Sequence, residues 1–235
     1  MMTISFWRRL LDLLSPRTCV ACGQRLTPSE SVFCACCLTE LPYTRFWLSP
    51  QDNPMARLFW GIIPIERAVA LWFYEPHSES CNAIYDLKYR NSPTTGVELG
   101  VMVANYCSLN GSDFFDGIDA IVAVPLAPKR QRQRGYNQSQ KIAEGVSQVT
   151  GIPIYNKVVR RTEFKSSQTH LTAWQRRDNV EDVFQLTDAT AVHGKHLLLI
   201  DDVVTTGATV SSCARQLCQA GDVRISILSI GFVMH

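Results

Sequence analysis

The sequence predicts an α/β protein, with a domain built on a parallel sheet and a small four-cysteine module before it. Three observations carry that expectation. From residue 66 onward, short apolar runs alternate with amphipathic helical stretches, the pattern of a parallel sheet covered on both faces. Two CxxC pairs fall close together near the start. The 235 residues, 46% apolar and 19% charged, suffice for one ordinary core plus an appendage.

In chain order, the first element is expected to be an amphipathic helix within residues 1–18. Ile4, Phe6, Trp7, Leu10, Leu11, Leu13 and Leu14 are helically spaced, with Arg8, Arg9 and Asp12 opposite. The stretch is too short and too charged for a membrane span or export signal. A helix docked on the rest of the protein is expected, with peripheral membrane contact through residues 4–14 as the alternative. The expected compartment is the cytoplasm, where nine cysteines do not form a disulfide framework.

The second element is the module at residues 19–42. CVAC supplies Cys19 and Cys22, and CACC supplies Cys34 and Cys37. Each CxxC turn offers two thiolates to one ion, and two such pairs complete a closed tetrahedral site suited to structural Zn²⁺. Cys36 competes for the fourth place, but only Cys37 keeps the spacing. Cys81, Cys107, Cys213 and Cys218 lie in apolar patterns and read as small core residues. Residues 43–65, rich in proline and aromatics, form a connector that packs against something.

The larger domain, 66–235, follows. ERAVALWFYE reads as a strand, CNAIYDLKYR and GVELGVMVANYCSL as helices, and IDAIVAV as a buried strand ending before Pro125. QSQKIAEGVSQVT is a helix stopped by Gly151, and IPIYNKVV a further strand. After a long polar segment come the strand HLLLI, a helix over TVSSCARQLCQAG and the strand RISILSIG.

Ligands of such sheets lie beyond the carboxyl ends of the strands. There Asp201 and Asp202 emerge, and Thr205–Thr209 turn into a helix. Free amides at a helix start and the helix dipole make an anion cradle. Gly207 lets a ligand approach, and Thr205, Thr206 and Thr209 add hydroxyl donors. Adjacent carboxylates are pure acceptors and suit a vicinal diol. Phosphate on one side and diol on the other describe a ribose 5-phosphate. A nucleotide-binding P-loop would require GxxxxGK[ST], which is absent from the sequence.

The formal charge is only +2, but residues 129–181 hold eleven Lys and Arg against four Asp and Glu. This basic band begins at the same sheet edge with an expected loop, for pyrophosphate or nucleic acid, that carries Lys129, Arg130, Arg132, Arg134 and Asn137. Such groups suit pyrophosphate oxygens. RRTEFKSSQTHLTAWQRRDNV has the length of a lid loop.

The stretch IDDVVTTGATV resembles the 5-phosphoribosyl pyrophosphate (PRPP) signature of type I phosphoribosyltransferases. The resemblance implies that Asp201 and Asp202 hold the ribose hydroxyls and that the loop after them holds the 5-phosphate. Asp201, Asp202, Val203, Val204, Thr205, Thr206, Gly207, Ala208 and Thr209 are then the PRPP-binding residues. Mg²⁺ would enter with PRPP, and Lys88, Arg134, Arg176 and Arg177 are the candidates for the pyrophosphate side.

A narrower resemblance spans nearly the whole chain. It rests on the four cysteines with Leu41 and Pro42, YDLKY around Lys88, VP followed by RGYNQ, and the PRPP signature. Gln168, Leu171, Arg176, Arg177, Asn179 and Phe184 complete it. Together these features are similar to the ComF family, called ComFC in Gram-positive relatives. The resemblance implies a zinc-ribbon-like start joined to a phosphoribosyltransferase-like domain, acting in DNA uptake and natural transformation with competence and DNA-processing proteins. It also implies single-stranded DNA as a partner. No residue declares itself as the base for an acceptor, so the acceptor is unread. The alternative is a non-catalytic PRPP sensor or DNA platform, with Tyr136, Trp174 or Trp47 stacking on bases.

Overall fold

The computed structural model describes residues 16–76, 78, 81–90, 92–109, 112–162 and 183–234. The stripe at residues 4–14 lies outside these residues, as do Gln168, Leu171, Trp174, Arg176, Arg177 and Asn179.

The chain is described from a hairpin in which Thr18 pairs with Arg25 across the first CxxC turn. Helix α1 (Ala35–Glu40) begins after Cys34, whose sulfur accepts from the Cys37 amide at 3.5 Å. The stretch after it is stitched to the larger domain. A 3-10 turn (Phe46–Leu48) leads to α2 (Pro54–Arg57), capped by Asn53. Asn53 accepts from the Met55 and Ala56 amides and donates to the Ala68 carbonyl at 2.9 Å. That carbonyl belongs to β1 (Ile65–Phe73), so the cap also anchors the connector.

Next come α3 (Cys81–Tyr89), α4 (Pro93–Leu109) and β2 (Ala120–Ala123). Helix α5 (Pro128–Arg134) and helix α6 (Gln138–Thr150) lead to β3 (Val159–Arg161). After β4 (Phe184–Leu186) and α7 (Ala189–Val192), the chain runs through β5 (His196–Val204), α8 (Ala208–Cys218) and β6 (Arg224–Phe232).

The main sheet has the order β1-β6-β5-β2, with every pairing parallel. Leu197–Ile200 of β5 are fully buried, as are Ala68–Trp72 of β1. These runs are apolar throughout because α6 and α8 pack on β5 while α4 packs on β6, leaving no wet face. Helices α4 and α6 cross closely. A Cβ on Gly145 would stand 2.0 Å from the Val97 carbonyl oxygen, and one on Gly100 2.1 Å from that of Ile142. That approach holds the start of α6 near the sheet edge.

The structure corrects three local expectations. IPIYNKVV is not one strand of the sheet: Ile154 makes a single parallel bridge to Ile121, and β3 pairs with β4 in a separate antiparallel ribbon. Proline 153 has no amide to give a ladder, and β2 is only four residues long. The basic run Lys129–Arg134 is a helix rather than a loop. Pro128 starts it and Gly135, at φ 77°, ends it. Trp47 is no stacking surface, being 5% exposed and packed on Tyr43 and Tyr106.

Candidate functional site

Two polar constellations stand out, one at the carboxyl edge of the sheet and one in the cysteine module. At the sheet edge, β5 does not end at Ile200. Its ladder with β6 continues through Asp201–Ser229 to Val204–Phe232, so both aspartates are strand residues. Asp201 Oδ1 accepts from the Ser139 hydroxyl at 3.0 Å and from the Asp202 amide at 2.9 Å. Asp202 Oδ2 pairs with Lys88 Nζ at 3.1 Å. Both carboxylates line a cavity of about 150 Å³ with Lys88, Arg130, Arg134, Arg161 and Thr209. Loss of water around Asp201, reinforced by the charge of Asp202, lifts its pKa to about 7; the two donors and Lys88 act in the other direction.

Beyond the strand comes the Thr205–Thr209 turn that the sequence offers as an anion cradle. Thr205 and Thr206 are exposed, Gly207 is buried, Ala208 exposed and Thr209 half-buried. Among the described residues, the amides of Thr205, Thr206 and Gly207 donate to no backbone carbonyl. Gly207 has φ 74°, and a Cβ there would also stand 2.8 Å from the ring of Phe59, itself fully buried. Two constraints therefore demand glycine: a left-handed backbone and an aromatic floor supplied by the connector. Val203 lines the cavity, while Val204 is buried in the core.

Lys88 reaches the cavity from α3, and Arg130 and Arg134 from α5. Arg134 donates to Gln138 Oε1 at 2.9 Å and lies 5.6 Å over the Tyr89 ring. Lys129 and Arg132 are exposed on the same helix. Asn137 has a structural task. It caps α6 by accepting from the Ser139 amide and ties that cap to β2 through the Val124 carbonyl, at 3.0 Å. A second, wider cavity of about 830 Å³ adjoins the first along Lys88, Tyr89, Arg130, Arg132 and Arg134.

Of the cavity residues that sequence reasoning did not assign to the site, Arg161 and Ser139 matter most, one for its charge and one for its contact with Asp201. Arg161 was read only as the start of a long polar segment, and Ser139 as one residue of an amphipathic helix. A signal for Ser139 existed: it stands two positions after the capping asparagine, where a first-turn side chain faces the ligand end of the sheet. Arg161 carried none, because β3 is not part of the main sheet.

In the cysteine module, the sulfurs of Cys19, Cys22, Cys34 and Cys37 all lie within 4.8 Å of one another. The Cys22–Cys34 separation is 3.8 Å. Zn–S bonds of about 2.3 Å in a tetrahedron put neighbouring sulfurs ~3.8 Å apart, so the cluster fits a four-thiolate zinc. Burial would raise the Cys19 pKa, but the Cys22, Cys34 and Ala21 amides together draw it down to about 7, favouring thiolate. Cys36 is exposed and is not among the four clustered sulfurs.

No protein-family model matches the chain. Among curated proteins it is 27% identical over 224 residues to the DNA utilization protein YhgH of Salmonella typhimurium, covering 92% of this chain and 96% of that one. It is 34% identical over 110 residues to competence protein F of Haemophilus influenzae, covering 46% and 48%. Competence protein ComFC of Bacillus subtilis is 33% identical over 101 residues, covering 43% and 39%. The chain is a homologue of these DNA utilization and competence proteins. Solved structures similar to it include the glutamine PRPP amidotransferase of B. subtilis, at TM-score 0.38 and 21% identity. The match covers 58% of this chain and 26% of that one. Among the described residues no helix is long and apolar enough to cross a membrane.

Proposed function

We propose that the protein binds Mg²⁺·PRPP at the carboxyl edge of its sheet and transfers the phosphoribosyl group to an acceptor, in the DNA-utilization and competence setting of its relatives. The observation that carries this reading is the 150 Å³ cavity, where Asp201 and Asp202 meet the cations Lys88, Arg130 and Arg134. In it, the aspartates accept from the ribose hydroxyls and the Thr205–Thr209 turn receives the 5-phosphate on its amides and hydroxyls. The arginines and Lys88 draw the diphosphate to the opposite side. An acceptor lone pair forms a bond to ribose C1, the C1–O bond to pyrophosphate breaks with its electron pair leaving on oxygen, and the acceptor loses a proton to solvent. Mg²⁺ entering with PRPP would be held beside Asp201 and Asp202 and would neutralise charge on the diphosphate. Domain limits at residues 19–42, 43–65 and 66–235, with zinc in the first, belong to the same proposal.

Calorimetric titration with Mg²⁺·PRPP tests it. Asp202→Asn is expected to weaken binding by roughly 10- to 100-fold, since a charge-assisted hydrogen bond contributes about 1.5–3 kcal/mol. Undiminished binding would refute the assignment.

One observation favours a second reading, a platform for single-stranded DNA. The 830 Å³ groove is basic, and beside it Tyr85 and Tyr89 are 54% and 63% exposed with rings 4.7 Å apart. Stacking on these tyrosines rather than on Trp47 would accompany phosphate contacts. Steep loss of oligonucleotide affinity with salt, independent of Asp202, would select this reading.

A further inference from the structure

Helix α4 turns Gly100 toward α6 and presents Glu98, Val101, Met102, Asn105 and Tyr106, one helical stripe, on its other side. There the stripe faces Phe33 and Leu38 of the cysteine module across a groove of about 440 Å³. Leu38, Val101, Met102 and Tyr106 are half-buried, so the walls are apolar yet partly open to water. Each wall carries one carboxylate. Glu30, on the module, is fixed by the Thr27 and Ala35 amides, each donating at 2.7 Å. Glu98, on α4, makes no ion pair among the described residues. The described chain begins beside this groove. Arg17 donates to the Glu30 carbonyl at 2.7 Å and to the Thr27 carbonyl at 3.3 Å, while its own carbonyl accepts from the Leu26 amide at 2.9 Å. Leu14, three residues earlier, is therefore held within about 11 Å of that anchor. Pro16 disfavours a helix continuing through the residue before it, so the chain can turn back there.

We infer that the apolar stripe of residues 4–14, outside the described residues, docks as a helix in this groove between α1 and α4, with Arg8 and Arg9 toward Glu30 and Glu98. A groove walled by two helices takes the apolar face of a third. The stripe offers Phe6, Trp7, Leu10, Leu13 and Leu14 at helical spacing. Its charges are complementary as well. On a helix Arg8 and Arg9 take the two edges of the polar face, with Asp12 between them, so each arginine meets one wall. Attachment at Arg17 makes the encounter intramolecular, which favours this segment over any free partner. The docked stripe would tie the cysteine module to the larger domain at a place apart from the connector. The inference is independent of the PRPP reading.

The test is hydrogen exchange on the full, zinc-replete chain, read by mass spectrometry, with melting temperature and exchange in β5 as fold checks. In the wild type the amides of residues 4–14 should exchange roughly 100-fold more slowly than in an unstructured chain. Met102→Asp lies on the groove wall and not in the segment, yet should cut that protection by roughly 10- to 100-fold, since it removes apolar contact and buries a charge. Leu10→Asp should match it. Glu98→Arg, at a partly exposed position outside the core, should cut protection about 2- to 5-fold and keeps the test open if Met102→Asp destabilises α4. Fast exchange of residues 4–14 in the wild type, or protection that neither groove variant changes, would overturn the inference. So would protection that fades on dilution, which assigns the groove to a second copy's segment. Protection gained only on vesicles of phosphatidylcholine and phosphatidylglycerol would overturn it too, assigning the stripe to a lipid surface.

Discussion

The cysteine cluster and the carboxylate cavity are assembled in opposite ways. All four sulfurs come from residues 19–37, on two turns that meet within 4.8 Å. The cavity draws on α3, α5, α6, β3, β5 and α8, from Lys88 to Thr209. The first site is a local device whose groups have one purpose and one partner. The second exists only when the sheet has formed, and its groups hold one another in reserve: Lys88 against Asp202, Ser139 against Asp201. A closed local site should therefore fail completely when one member is lost, whereas a convergent site should lose function in steps.

The largest expected effect breaks the local site. Cys37→Ser or Cys19→Ser should reduce bound zinc from about one per chain to none, because three thiolates leave a structural site open. Cys34 caps helix α1, and Phe33 packs edge-on against Trp72 of β1 at 5.9 Å, so the damage should reach the larger domain. A fall in Tm of roughly 10 °C or more is expected. Elemental analysis beside differential scanning calorimetry checks it. Retention of metal by either variant would show that the closed cluster is not the zinc site.

The same contrast governs what was legible in the sequence. Cys19, Cys22, Cys34 and Cys37 could be paired by counting, because a CxxC turn determines where its thiolates point. The buried strands were equally plain, since Leu197–Ile200 is apolar without alternation and Ile225, Ile227, Leu228 and Ile230 crowd one short stretch. Asp201, Asp202 and Gly207 were legible from a dense local motif. Arg161 was not, because nothing near it in the chain says that a ribbon outside the main sheet delivers it to the carboxylate cavity. The helix at Lys129–Arg134 was missed for another reason. Alternating Arg and Gln have no apolar face to give a period, and the only signals were Pro128 and Gly135 at its ends.

A middle effect sharpens the comparison, since here removal of a group should stabilise. Asp201 has its folded pKa raised from 3.8 to about 7. Between those values the folded state holds more protons than the unfolded one, so stability is lost as pH rises and the full penalty is present above about 7. Asp201→Asn is expected to raise Tm by a few degrees at pH 8 and by almost nothing near pH 4, while weakening PRPP. Melting curves of both proteins across that range decide it, and the difference between them cancels the titrating groups that are not coupled to Asp201. A stabilisation that is constant with pH would mean that the strain at Asp201 is not electrostatic.

The smallest effect concerns Ser139, a buried hydroxyl that supports the carboxylate without reaching the diol itself. It supplies one of two donors to Asp201 Oδ1, the other being the Asp202 amide. Ser139→Ala removes about 1 kcal/mol of support from the charged form alone, and the remaining donor keeps the side chain in place. PRPP affinity should fall about 3- to 10-fold at pH 7, and the midpoint of its pH dependence should move upward, because the unsupported carboxylate holds its proton longer. At pH 9, where Asp201 is ionised in both proteins, most of the difference should vanish. A loss equal at pH 7 and pH 9 would mean that Ser139 acts by packing α6 against β5, and that this site too is rigid rather than graded.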